Sequence, residues 1–199
     1  VRLLNGSIIN ITSVALATPA NDNPCNAFLL PTNPTCSYTS ATTSSATLTT
    51  GVTAPGCGNL LGSDVWFKVV VPASGSVLVQ TQTGVITDGG MAIYKGNCSS
   101  LSLIQCSDDS ISLMPAFQIN NQTPGDTLWV RFWEYGNDNN GTFGICATAV
   151  TPPPPLTNDL PCGAISLTPT TTCSYTQGTT IGATSSTLTA SCVTSTTPD

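Results

Sequence analysis

Histidine is absent from the 199 residues, and only four side chains are basic: Arg2, Lys68, Lys95 and Arg131. Without histidine there is no imidazole to act as a near-neutral base or as a metal ligand. Four cations in a chain of net charge −6 and pI near 4.1 cannot form the Lys/Arg clusters that nucleic acid and anionic membranes require, so no nucleic-acid partner is expected. Glutamate occurs once, at Glu134. With Asp138 it could be taken for a carboxylate pair of the glycosidase kind, but the two flank an Asn/Gly-rich stretch where Asp138 supplies turn geometry. A catalytic role is therefore not expected. No apolar run approaches the roughly 20 residues of a membrane span, so no membrane insertion is expected either.

Charged residues make up 7 % of the chain while hydrophobic ones make up 40 %. Solvation falls to Ser, Thr, Asn, Gln and Gly. With strand-favouring Thr and Val and 15 prolines, this composition suits an all-β extracellular protein. The Thr-rich run from Ser40 to Thr50 reads as strand, because Leu48 and neighbouring apolar residues interrupt its polarity.

The chain repeats itself. Asn21-Asp22-Asn23-Pro24-Cys25 returns as Asn158-Asp159-Leu160-Pro161-Cys162, and Cys36-Ser37-Tyr38-Thr39 returns as Cys173-Ser174-Tyr175-Thr176. Cys162 lies 137 residues after Cys25, as Cys173 does after Cys36. A period that long is a whole domain. Thr47-Leu48-Thr49 finds a match in Thr187-Leu188-Thr189, and Cys192 answers Cys57. Val1-Arg2-Leu3-Leu4 matches Val130-Arg131-Phe132-Trp133. The expected organisation is the end of a preceding repeat (1–17), a complete repeat (18–150), a Pro-rich linker (151–157) and the start of a following repeat (158–199). The complete repeat, about 130 residues, is large enough for its own core. A partial repeat leaves strand edges unpaired, so neighbouring repeats of the same or an adjacent chain are the expected partners.

The complete repeat holds six cysteines, Cys25, Cys36, Cys57, Cys98, Cys106 and Cys146, and the partial one three. An even set in an acidic, Thr-rich domain points to disulfides and an oxidising compartment. Cys98–Cys106 is the most local pairing; Cys36–Cys57 and Cys25–Cys146 follow by elimination. Zinc is not favoured, since there is neither a Cys-x2-Cys pair nor a histidine.

Strand signals recur every 8–15 residues. Asp64 to Val71 places Val65, Phe67, Val69 and Val71 on one face. Thr127 to Trp133 places Leu128, Val130 and Phe132 on one face and Trp129, Arg131 and Trp133 on the other. Ser76 to Gln82, Met91 to Tyr94, Leu101 to Cys106, Ala116 to Ile119 and Thr142 to Thr148 complete the set, with Gly/Pro turns between. The expectation is an all-β, jelly-roll-like antiparallel β-sandwich in a tandem array, braced by disulfides.

The ordered set Asn-Asp-x-Pro-Cys, Asp64-Val65-Trp66-Phe67, Met91-Ala92-Ile93-Tyr94, Gly96-Asn97-Cys98, Cys106-Ser107-Asp108-Asp109, Leu128-Trp129-Val130-Arg131 and Gly141-Thr142-Phe143 resembles a repeated extracellular domain. That domain occurs in large surface and secreted proteins of gliding Bacteroidota. It is similar to pre-peptidase C-terminal domains and, more loosely, to CUB domains. The resemblance implies a jelly-roll sandwich, type IX secretion and a place in a cell-surface adhesin or as an accessory module. It brings no catalytic residue.

Three kinds of site follow as expectations. CUB-like domains hold calcium between loops at one end, which nominates Asp64, Asp108 and Asp109 as ligands and calcium as the one cofactor. Trp129, Trp133 and Tyr135 could stack on a sugar, which would make surface polysaccharide a partner. Asp109-Ser110-Ile111 and Asp126-Thr127-Leu128 look like the Asp-Ser/Thr-aliphatic O-glycosylation motif of Bacteroidota, nominating Ser110 and Thr127. The favoured function is a non-catalytic structural or adhesive repeat of a long bacterial surface protein or filament; the alternative is a carbohydrate-binding or targeting module of a secreted enzyme.

Overall fold

A computed structural model of the chain describes residues 17–151 and 156–184. The expectations placed on residues 1–16, on Pro152–Pro155, on Thr187-Leu188-Thr189 and on Cys192 lie outside those residues. The chain divides into two units, Val1–Val150 and Thr151–Asp199.

The first unit is a two-layer β-sandwich of ten strands. One sheet contains β1 (Phe28–Leu29), β4 (Asp64–Val70), β9 (Thr127–Glu134), β6 (Gly89–Asn97) and β7 (Ser100–Ser107), in that order. The other contains β2 (Thr32–Asn33), β10 (Thr142–Ala149), β5 (Val77–Gln82) and β8 (Ala116–Ile119), with β3 (Thr39–Thr42) also paired to β10. Alternation sets the faces. Val65, Phe67 and Val69 of β4 meet Phe132, Val130 and Leu128 of β9 in antiparallel register. All six join the core between the sheets with Val77, Val79, Phe117, Ile119, Phe143, Ile145 and Ala147 of the second sheet. Phe132 and Phe143 stack across the layers with ring centroids 3.7 Å apart.

The other face of the first sheet is also covered over part of its length. Trp66, Ala92, Tyr94 and Trp133 form a second cluster with Ala27, against which Val52 and Leu60 pack. The irregular segment 47–62 lies over this face as a strap, and side chains from the sheet donate to one of its hydroxyls and two of its backbone carbonyls. Trp66 Nε1 donates to Thr49 Oγ1 (2.8 Å), Tyr94 OH to Thr53 O (2.9 Å), and Trp133 Nε1 to Gly58 O. The Ser40–Thr50 run is thus strand only at its beginning; its later threonines bond to acidic side chains instead. Thr47 donates N–H and Oγ1 to Asp22 (2.6 and 2.7 Å), and Thr49 donates both to Asp64 (3.0 and 2.8 Å).

The sheets are mixed rather than wholly antiparallel. β1 joins β4 in parallel and β2 joins β10 in parallel. The segment 19–47 runs along the edges of both sheets, adding β1 to one and β2 and β3 to the other. Two-residue strands carry no alternation, so periodicity could not reveal them.

The same six cysteines are bridged, but all three expected pairings are corrected: the bonds are Cys25–Cys98, Cys36–Cys146 and Cys57–Cys106. Cys98 sits in the β6–β7 turn while Cys106 lies along β7, opposite Ala92. Eight residues of strand place their Cα atoms about 26 Å apart, far beyond the reach of a disulfide. The expected strand Leu101 to Cys106 is itself what rules out the local bridge: it runs as β7, Ser100–Ser107. Cys25 and Cys36 instead fasten the opening segment to the two sheets, and Cys57 fastens the strap.

β6 begins at Gly89, two residues earlier than expected, because Gly89 and Gly90 continue the ladder opposite Glu134 and Trp133. A Cβ on Gly90 would fall inside the Trp133 indole, so glycine here marks close approach rather than a turn. Gly90→Ala is expected to cost about 1–3 kcal/mol by overpacking, read as a lower urea midpoint at unchanged slope.

In the second unit, the described residues 156–184 form no strand. A short 3-10 turn at Pro161–Gly163 is followed by extended and bend conformations.

Candidate functional site

Antiparallel pairing of β6 and β7 sets Met91 opposite Ser107. The residues just outside that pair, Asp88 before β6 and Asp108 and Asp109 after β7, therefore gather at one end of the sheet. One carboxylate oxygen from each lies within 4.8 Å of the others. Asp88 Oδ1 and Asp108 Oδ1 are buried and accept no hydrogen bond. Burial raises the Asp88 carboxyl above its ordinary 3.8, and repulsion from Asp109 and Asp138 adds to it. The Asp108 carboxyl is raised likewise by burial and then by Asp109 and Asp88. Three carboxylates with two unsatisfied buried oxygens form a hard-oxygen, cation-favouring set. The donors fit calcium in kind.

The expected ligand set does not come together, because Asp64 stands apart from Asp108 and Asp109. Asp64 is buried inside the unit, where its Oδ2 pairs with Arg131 and its Oδ1 accepts from Thr49. Burial raises its carboxyl, while the Arg131 guanidinium and the Thr49 donors act against that rise. Asp88 takes its place at the cluster. Asp88 directly precedes two glycines, a turn signal in sequence; pairing β6 with β7 as a hairpin is what brings it beside Asp108.

The aromatic residues are also placed differently from the sugar-stacking expectation. Trp133 is fully buried with its indole N–H spent on Gly58. Trp129 is half-buried and donates to Pro24 O at 3.3 Å. Tyr135 is 41 % exposed, in the 3-10 turn after β9. The three do not share an exposed face, because the strand face that carries both tryptophans is covered by the strap and by the turn at Pro24. Ser110 is exposed, with its hydroxyl 2.7 Å from that of Ser107. Thr127 is half-buried at the start of β9, opposite Val70. Glu134 Oε2 accepts the Asp138 N–H at 2.9 Å, so the Glu134/Asp138 pair closes a turn.

Fold and site define a disulfide-braced β-sandwich module with an acidic cluster at one end. No family model and no curated protein matches the chain. Among solved structures, it is similar to the pre-peptidase C-terminal domain of collagenase from Bacillus anthracis, with 6 % identity, TM-score 0.40, and coverage of 61 % of this chain and 93 % of that one. It is also similar to a cycloisomaltooligosaccharide glucanotransferase from Paenibacillus sp. solved with cycloisomaltoheptaose, with 15 % identity, TM-score 0.25, and coverage of 65 % of this chain and 19 % of that one.

Proposed function

We propose that the chain is a non-catalytic, tension-carrying link of a long bacterial cell-surface protein or filament. One observation carries this reading: Cys36, in the segment that enters the sandwich, is bonded to Cys146, in the strand that leaves it, across a sequence separation of 110 residues. Force applied to the two ends of the unit passes through that bond and bypasses residues 37–145. Three disulfides fit an oxidising compartment, and we place the protein outside the cell. Among the described residues no helix is long and apolar enough to cross a membrane. Adhesion through a string of such links would gain avidity without a tight individual site. Neighbouring repeats are its first partners in this reading, and surface polysaccharide its outer one. Export by type IX secretion and glycans on Ser110 and Thr127 belong to the same reading, and intact mass of the secreted protein tests the glycans.

Pulling the oxidised chain by its ends should give no long unfolding step from this unit. Reduction should release a step of up to about 360–400 Å, the contour of the bypassed residues. A step of that length under oxidising conditions contradicts the proposal.

We assign the Asp88, Asp108 and Asp109 cluster to one calcium ion, which would neutralise the mutual repulsion and satisfy the two orphaned oxygens. In chelator, the raised carboxyls of Asp88 and Asp108 hold protons in the folded state at pH values where the unfolded chain has released them. Stability therefore falls as pH rises through the folded values, and Glu134, also raised by burial, adds in the same direction. The melting temperature in chelator should rise as pH is lowered from neutrality through the titration of these carboxyls. Calcium should raise it more at neutral pH than in acid, and Asp108→Asn should abolish the calcium increment. No heat of calcium binding and no thermal shift would remove the ion from the account.

A further inference from the structure

The second unit repeats the local geometry of the opening segment bond for bond. Asp22 accepts the N–H and Oγ1 of Thr47; Asp159 accepts the N–H and Oγ1 of Thr184, at 2.8 and 2.6 Å. Asp22 N–H donates to Pro19 O, Ala27 to Pro24 O and Ala46 to Thr43 O; Asp159 donates to Leu156 O, Ala164 to Pro161 O and Ala183 to Thr180 O. Each second member lies 137 positions after the first, as Asp159 does after Asp22. Ser45 and Gly182, one period apart, both have positive φ, 63° and 88°. Thr184, rather than the expected Thr187, is thus the counterpart of Thr47.

What differs is burial. Leu30 is 1 % exposed in the first unit, and its counterpart Leu167 is 72 % exposed. Tyr38 is 40 % exposed and Tyr175 88 %. Thr43 is buried, holding Asn140 and Gly141, while Thr180 is exposed. Cys25 and Cys36 are bridged, while Cys162 and Cys173 are exposed thiols among the described residues. The segment has kept the conformation of a docked piece together with an undocked surface.

We propose that residues 156–184 are a preformed clasp for a second sandwich of the first unit's kind, one whose own edge seat is open. The first unit defines that seat. Asn21 brackets Trp66, accepting its N–H with O (2.8 Å) and donating Nδ2 to its O (2.9 Å). Leu30 N–H donates to Lys68 O at 2.9 Å while its side chain enters the core. The seat offers two cysteines, Cys98 and Cys146. Asn158, Leu167, Cys162 and Cys173 carry the matching groups at the matching spacing. The first unit is not the occupant, since its own segment fills the seat under two disulfides. Each new bridge forms from two thiols, which release two protons and two electrons to a disulfide oxidant such as oxidised glutathione, itself reduced to two thiols. This inference rests on the repeat and not on the tension reading, which the pulling experiment tests separately.

Half-grafts in the full chain test it. Residues 156–167 replace 19–30 in one variant, and residues 168–184 replace 31–47 in the other; each replacement preserves length. Both variants, refolded in glutathione buffer, should keep one cooperative transition for the first unit. Peptide mapping should find the grafted cysteine paired with Cys98 in the first variant and with Cys146 in the second. Changing the grafted leucine to Asp should lower the melting temperature as much as Leu30→Asp does in the parent, whereas Leu167→Asp in the parent should leave that transition unmoved. A grafted cysteine that stays open to maleimide, a graft leucine whose change is silent, or a half-graft without a cooperative transition overturns the proposal.

Discussion

Replacing Arg131 by Met should cost the first unit about 3–5 kcal/mol, because it strands a buried carboxylate without its partner. Arg131 and Asp64 are 1 % and 0 % exposed. The guanidinium pairs with Asp64 through Nε, donates Nη2 to Thr49 O at 2.9 Å, and lies 5.3 Å from the centroid of the Trp66 ring. Thr49 in turn donates twice to Asp64 and accepts from Trp66. The network therefore ties β4, β9 and the strap together, and losing the cation leaves Asp64 buried with Thr49 as its only donor among the described residues. The double variant Arg131→Met with Asp64→Leu should recover much of the loss, since an apolar pair of similar size carries no desolvation cost. Urea midpoints for the two single variants and the double variant check this as a cycle. A loss under about 1 kcal/mol for Arg131→Met would mean the pair is solvated like a surface ion pair.

The second large effect belongs to Cys36–Cys146. Removing both cysteines as serines should cost about 4.8 kcal/mol from loop entropy alone, against about 4.1 for Cys57–Cys106, because the loops span 110 and 49 residues. The structural consequence is larger than that difference. Without the bond, β2 and β3 are held to β10 only by short ladders, at Ala147–Thr148 and Thr142–Ile145. The opening segment should then fray first. Hydrogen exchange should report lost protection at Thr39–Thr42 in this variant, while β4, β6 and β9 stay protected. Uniform loss across all strands would show that the bond does not act locally on the segment.

What the sequence made legible was whatever repeats or alternates. Ala116–Ile119 appears as a strand at the expected bounds, and β4, β5, β9 and β10 appear to within a residue or two, because one face of each is a run of core residues. Trp66, Trp129 and Trp133 alternate just as regularly, yet periodicity cannot say whether a second face meets water or a strap; here it meets the strap. The disulfides were illegible for a related reason. Pairing depends on which strands are neighbours, and Cys25, Cys36 and Cys57 all lie outside the regular strands. Asp64 was nominated through the same resemblance as Asp108 and Asp109, and only its burial opposite Trp133 reveals it as the partner of Arg131. Asp108 and Asp109 were found through resemblance, and Asp88 only through the hairpin register.

Peptide mass mapping of the oxidised chain under non-reducing conditions tests most directly whether the opening segment is clasped to both sheets. Linked peptides should join Cys25 to Cys98, Cys36 to Cys146 and Cys57 to Cys106. A Cys36–Cys57 link would send tension through residues 37–145, a Cys98–Cys106 link would leave Cys25 unclasped, and either would contradict the account.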